Sequence, residues 1–184
     1  MKTKHIFILF VIVALVQIGI PAQMIWNRES ILDTGKAFKF KTQPVDPSDP
    51  FKGKYIYLNY EMNSFPSSQE TWKRGEDIYV SISEDSLGFA KAIAITKKAP
   101  KQQAYVKATV DWSVNNKKEI RFSLPFTEFY MEENKAYDAE IAHRNAQRDS
   151  LPNNTYALVY VKEGEAVLAN VFINDIPIAE FVEQ

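Results

Sequence analysis

Hydrophobicity is distributed along the chain in two unlike ways. Residues 6–26, IFILFVIVALVQIGIPAQMIW, form one uncharged run, and from Lys36 onward apolar and polar residues take turns. As a helix rising about 1.5 Å per residue, the first run reaches roughly 31 Å, the thickness of a hydrocarbon core. That predicts a transmembrane helix. A cleaved secretory signal has a shorter apolar centre and small residues at the -3 and -1 positions of its cut; the nearest candidate ends at Ala22, where Ile20 at -3 fits poorly. Trp26 stands at the place of an interfacial aromatic anchor, with Asn27 and Arg28 beyond it. A buried soluble helix is the third reading, and the basic lead of Lys2, Lys4 and His5 speaks against it. Lys2 and Lys4 precede the span, whereas Arg28 after it is offset by Glu29, so the positive side belongs in the cytoplasm. The expected division is a cytoplasmic lead at 1–5, a signal-anchor helix at 6–26 and an exported β-rich domain at 27–184, held at the cytoplasmic membrane with the N-terminus in.

Beyond the span the period is two. KAFKFKT places Phe38 and Phe40 on one face and Lys39 and Lys41 on the other, and DIYVSIS does the same with Ile78, Val80 and Ile82. In FAKAIAIT, Phe89, Ile93 and Ile95 are expected to share a side. AYVKATVDW and KEIRFSL flank SVNNKK, where Asn115 and Asn116 suit a hairpin turn. YALVYV and AVLANVFI are joined through Glu163 and Gly164, short enough to force antiparallel neighbours. Asn174 and Asp175 offer a further turn into IPIAEF. One segment breaks the alternation: residues 132–148 have no proline or glycine, and Tyr137, Ile141 and the stem of Arg144 fall on one side at helical spacing. The predicted fold class is mainly β (α+β): an antiparallel β-sheet or barrel-like body with one late α-helix, behind a transmembrane helix.

Composition then removes function classes. With 22 basic and 23 acidic residues the net charge is -1, so no global field favours a nucleic acid partner. Cysteine is absent, which excludes disulfides, thiolate catalysis and an acylated anchor. Attachment to the membrane falls to the N-terminal helix alone. No G-x-S-x-G, H-E-x-x-H, P-loop or G-x-G-x-x-G motif occurs, and no cofactor is implied.

The stretch VDPSDPFKGKYIYLNYEM introduces one strand with unusual preparation. Pro44, Pro47 and Pro50 fix their own φ and stiffen the loop. Asp46 and Asp49 each precede a proline, where a carboxylate closes an Asx turn; the rival use of these oxygens in a calcium site matches no known loop spacing. Ile56, Leu58 and Tyr60 then point one way, Tyr55, Tyr57 and Asn59 the other. Gly53, Tyr55, Leu58 and Tyr60 resemble the pattern that names the GDYXXLXY family, membrane-anchored proteins found mainly in bacteria and without an established activity. VDPSDPFKG, WKRGEDIYVSI, FTEFYMEENKA and GEAVLANVFINDIPI are similar to its other segments, so the likeness covers the whole predicted body. The motif's aspartate is Lys54 here, and no role of a carboxylate carries over. Relatives encoded beside, or fused to, multi-span membrane domains imply a multi-span membrane protein as partner.

Three groups of residues are candidates for chemistry. His143 is the one histidine outside the lead, and no nucleophile motif accompanies it, which fits a surface histidine on the late helix. Glu128, Glu132 and Glu133 with Tyr130 make an acidic, aromatic edge. Tyr55 and Tyr57 with Trp72 make a candidate ligand face, since aromatic rings stack on sugars and peptide backbones, although core packing is the readier explanation of aromatics in strands. Two functions remain. The first is a non-enzymatic binding or scaffolding module for a membrane partner; the alternative is a carbohydrate- or peptide-binding domain, or weak hydrolase, using the Tyr55/Tyr57 face and the Glu132/Glu133 edge.

Overall fold

The computed structural model describes residues 3–43, 55–66, 72–114, 119–148 and 155–183. The proline loop with Asp46, Asp49, Gly53 and Lys54 lies outside them, as do Asn115 and Asn116. The first helix, α1, spans Thr3–Thr34. It therefore runs past Trp26, because no glycine or proline interrupts NRESILDT before Gly35. Residues 3–26 are unburied apart from a partly covered Ala14, whereas Ile31 in the last turns is buried against the body.

Strands β1 (Lys36–Gln43), β2 (Tyr55–Tyr57), β3 (Asn59–Tyr60) and β4 (Ser64–Pro66) follow, then β5 (Asp77–Glu84), β6 (Ala90–Thr96), β7 (Tyr105–Val114), β8 (Glu119–Ser123) and β9 (Glu128–Tyr130). After helix α2 (Glu133–Arg148) come β10 (Thr155–Lys162), β11 (Glu165–Ile173), β12 (Ile176–Pro177) and a single-turn helix α3 (Ile178–Phe181). Among the described residues they form two five-stranded sheets, ordered β12-β11-β10-β1-β3 and β4-β8-β7-β5-β6, and a ribbon β2-β9. Every strand pairing is antiparallel. The body is thus strand-rich and antiparallel as the alternation predicts, but its sheets stay open and no barrel closes among the described residues.

The expected strand pairings are present. β7 pairs with β8 and β10 with β11. Glu163 at φ 50° and Gly164 at φ 84° make the left-handed pair that a two-residue hairpin requires. Asn174 and Asp175, at φ 52° and 64°, repeat the device before β12. The first hairpin tip also joins the sheets: the Lys107 N–H donates to the Gly164 carbonyl at 3.0 Å, and Lys107 forms an ion pair with Glu165.

Both sheets feed one core. Phe38, Phe40, Val159, Val171 and Ile173 of the first meet Ile78, Val80, Val106, Ile120 and Phe122 of the second. Lys39 and Lys41 face outward as the period of two dictates, paired with Asp175 at 3.5 Å and Glu61 at 3.1 Å.

Strict alternation fails where bulges add a residue. In β6, Ile93 is 42% exposed while Ala92 is buried, against the expected shared side for Phe89, Ile93 and Ile95. The register explains it: Val80 faces Ile95 and Ile82 faces Ala92, so two positions on β5 span three on β6. Phe89 itself lies outside the main core and packs edge-on to Tyr156 on the outer face of the first sheet.

The late helix also buries a different face from the one expected. Ala139, His143 and Ala146 are buried, and Ala142 packs against the core. Ile141 is only half-buried, and the side chains of Tyr137 and Arg144 lie outside the described ones. Small side chains let the helix approach closely, and their weak apolarity hides that face from a hydropathy count.

Helix α1 passes into β1 through one residue. The Gly35 N–H donates to the Ile31 carbonyl at 2.8 Å, and Lys162 Nζ on β10 donates to Ser30 Oγ at 2.9 Å and Thr34 Oγ1 at 2.7 Å. A Cβ on Gly35 would stand 2.4 Å from the Ile31 carbonyl oxygen and 3.2 Å from that of Val161, both backbone atoms without freedom to yield. Gly35→Ala is expected to destabilise the detergent-solubilised chain by about 1–3 kcal/mol, read as a lower urea midpoint. Gly19→Ala, where a Cβ meets nothing within 4 Å, serves as control; equal midpoints would remove the close-approach argument.

Candidate functional site

The tyrosine strand divides its work at Leu58. Before it, β2 pairs with β9; after it, β3 pairs with β1. Between them the Leu58 N–H donates to the Thr127 carbonyl at 2.7 Å, so one segment passes from the ribbon to the first sheet without losing its backbone partner. Ile56, Leu58 and Tyr60 are all buried, and Tyr57 and Asn59 are exposed, in the alternation that the sequence gives.

Tyr60 closes the core. Its hydroxyl donates to the Phe126 carbonyl at 2.7 Å. Its ring meets Phe40 at 5.9 Å and Phe126 at 5.3 Å, and those two meet at 5.0 Å, each contact edge to face. Burial pushes the phenol well above its ordinary value, which keeps it a neutral donor. Leu58 and Tyr60 are thus structural pins. Gly53 of the motif lies outside the described residues.

The ribbon brings together two groups that are apart in sequence. Tyr55 is in register with Tyr130, Ile56 with Phe129 and Tyr57 with Glu128. Cross-strand partners in an antiparallel pair share a face, so Tyr57, Glu128 and Tyr130 are neighbours on the side opposite Ile56. Tyr57 is 52% and Tyr130 68% exposed. The Tyr130 hydroxyl donates to Glu128 Oε2 at 2.6 Å, which holds that phenol in place. The result is an open aromatic surface with one carboxylate at its edge. The side chain of Tyr55 is outside the described set.

Other candidates lie elsewhere. Trp72, expected beside the tyrosines, is buried in the core with the Lys97 ammonium 5.1 Å from its ring centre, and Lys97 pairs with Glu76 at 2.8 Å. The indole is consumed by packing. Glu132 is exposed just before α2, where its carbonyl accepts from the Lys135 N–H at 3.0 Å; Glu133 opens that helix, with its side chain outside the described ones. Among the described residues no cluster of three or more acidic or histidine side chains is placed to hold a metal ion.

His143 is where the structure departs most from the expected surface histidine. It is 4% exposed, with Nε2 3.2 Å from Thr42 Oγ1. Thr42 Oγ1 in turn lies 3.0 Å from both the carbonyl and the hydroxyl oxygen of Thr155. The carbonyl can only accept, so Thr42 donates its one proton there, and its oxygen is left to accept from the Thr155 hydroxyl and from His143 Nε2–H. The group joins α2 to β1 and β10, and at 4% exposure or less it is closed to substrate. The signal for it was Thr42: a polar residue at an inward position, two after Phe40, that required a buried partner.

Burial lowers the His143 pKa from 6.5 to about 4. Between those values the unfolded chain binds a proton that the folded chain refuses, so stability falls as pH drops through that window and is level above it. The full loss is about 3 kcal/mol. Denaturant titrations from pH 7.5 to 4 should show a steeper decline for the natural chain than for His143→Leu, and parallel curves would mean that the imidazole is protonated in the fold.

A family model described as GDYXXLXY protein matches residues 17–171. No curated protein and no solved structure matches the chain. The matched stretch starts inside α1, crosses both sheets and ends in β11, and it contains Leu58 and Tyr60 in their core positions; the chain belongs to the GDYXXLXY family.

Proposed function

We propose that the chain is a single-pass, membrane-anchored binding module. Residues 6–26 cross the cytoplasmic membrane with the N-terminus inside, and the β body is exported, where it scaffolds a multi-span membrane protein by binding rather than by turnover. The observation that carries this reading is the junction at Gly35. An apolar helix long enough to span, uncovered over residues 6–26 except at Ala14, continues without a linker into the first strand and is clamped by Lys162. A tether that only retained a domain would need no such fit. A rigid junction holds the body at a fixed height and angle over the bilayer, which suits a module that meets a partner fixed in the same membrane. The motif residues seen in the structure support the reading, since Leu58 and Tyr60 are spent on packing.

Alkaline phosphatase fused after Gln184 is expected to be active, and a photo-crosslinker at Tyr57 in native membranes is expected to link the body to the same multi-span protein in repeated preparations. An inactive fusion, a chain trimmed behind Ala22, or turnover of a substrate by the purified body would end this reading.

One observation favours a second reading, in which the body binds envelope carbohydrate or peptide: the ribbon assembles Tyr57, Tyr130 and Glu128 on one open face. Tyr57→Ala with Tyr130→Ala removes two exposed rings at about 1–3 kcal/mol of stacking each by analogy with base stacking. Affinity for cell-wall fragments should then fall at least tenfold with the melting temperature unchanged, and unaltered affinity would discard the platform.

A further inference from the structure

The centre of the apolar helix is not wholly apolar. Gln17 stands near the middle of residues 6–26, exposed, whereas Gln23 lies toward the Trp26 end where headgroups and water are within reach. Pro21, four residues on, lies inside a helix that continues through it. Proline has no N–H, so the Gln17 carbonyl lacks its helical donor. One level of the helix therefore presents a primary amide and an unpaired backbone carbonyl, at the depth where lipid supplies no hydrogen bonds.

We propose that α1 pairs in the membrane with α1 of a second copy of this chain, parallel and two-fold, through Gln17. This rests on reading α1 as a membrane span. The choice of occupant follows from the chemistry of the group. A primary amide carries donors and an acceptor together, so it is complementary to itself. Copies inserted in one orientation bring Gln17 to one depth, where each side-chain amide donates to the carbonyls, side-chain and backbone, that the other offers. A two-fold axis makes both halves equivalent. Ala14, three residues before Gln17 on the same face, is small enough to let the backbones approach, whereas Leu15 faces away.

The chain holds no cysteine, which makes the test direct. Ala14→Cys and Leu15→Cys, each made in the full chain and oxidised in native membranes, report the two faces. Ala14→Cys is expected to give a disulfide-linked species of twice the chain mass, and Leu15→Cys little of it. Adding Gln17→Leu to Ala14→Cys should lower that yield roughly three- to thirty-fold, while Gln17→Asn retains it. Leucine makes the span more apolar, so the loss would not reflect failed insertion. Equal yields at both positions, a yield indifferent to Gln17→Leu, or linkage of Ala14→Cys to a different protein overturns the proposal. Alkaline extraction of the same membranes separates the two failures: a chain that stays in the pellet without dimer overturns the pairing alone, and a chain that leaves it overturns the span beneath.

Discussion

The contact that orders the rest of this molecule is the close approach of Gly35 to the Ile31 carbonyl. A helix running to Thr34 and a strand starting at Lys36 leave one residue to change direction, and the change is free of a backbone clash because that residue has no Cβ. Two consequences follow. The first strand is aimed by the helix, which fits the phase that turns Phe38 and Phe40 toward the core. The helix is aimed by the sheet in turn, since Lys162 reaches back to Ser30 and Thr34.

From that start the core is built by handing strands between partners. The segment 55–60 serves the ribbon and then the first sheet, and the change is cheap because Leu58 keeps its N–H satisfied by Thr127. Tyr60 then spends its hydroxyl on the Phe126 carbonyl and its ring on two phenylalanines. A leucine and a tyrosine two apart thus accomplish what a catalytic pair in the same spacing would not: they seal rather than expose. The buried set of Thr42, His143 and Thr155 follows the same logic in polar form, fastening α2 over the sheet at the cost of keeping an imidazole neutral.

Three outward surfaces among the described residues differ in kind. The ribbon offers phenols and a carboxylate; the outer face of the first sheet stacks Tyr156 on Phe172 at 5.1 Å, with Lys39 over the phenol ring and Asp175 accepting from its hydroxyl. The second of these is satisfied within itself. The ribbon face is organised in part by the Tyr130 to Glu128 bond, and Tyr57 and Tyr130 both stay more than half exposed. The helix adds an apolar surface with one amide, Gln17, near its middle.

The chain by itself determined the N-terminal helix with its uncharged run, the antiparallel body, the pairing of β7 with β8 and of β10 with β11, the late helix and the alternation of Ile56, Leu58 and Tyr60, because each is a local pattern of period or of backbone preference. It also carried the family motif. Only the tertiary structure decided where the period breaks, as at Ile93, since a bulge depends on the partner strand's register and leaves no mark on its own segment. It alone decided that Trp72 is packed away, that His143 is buried behind a face of alanines, and that Glu128 and Tyr130 join Tyr57. Those outcomes turn on which element covers which, a matter of distance in space between residues that the sequence holds far apart.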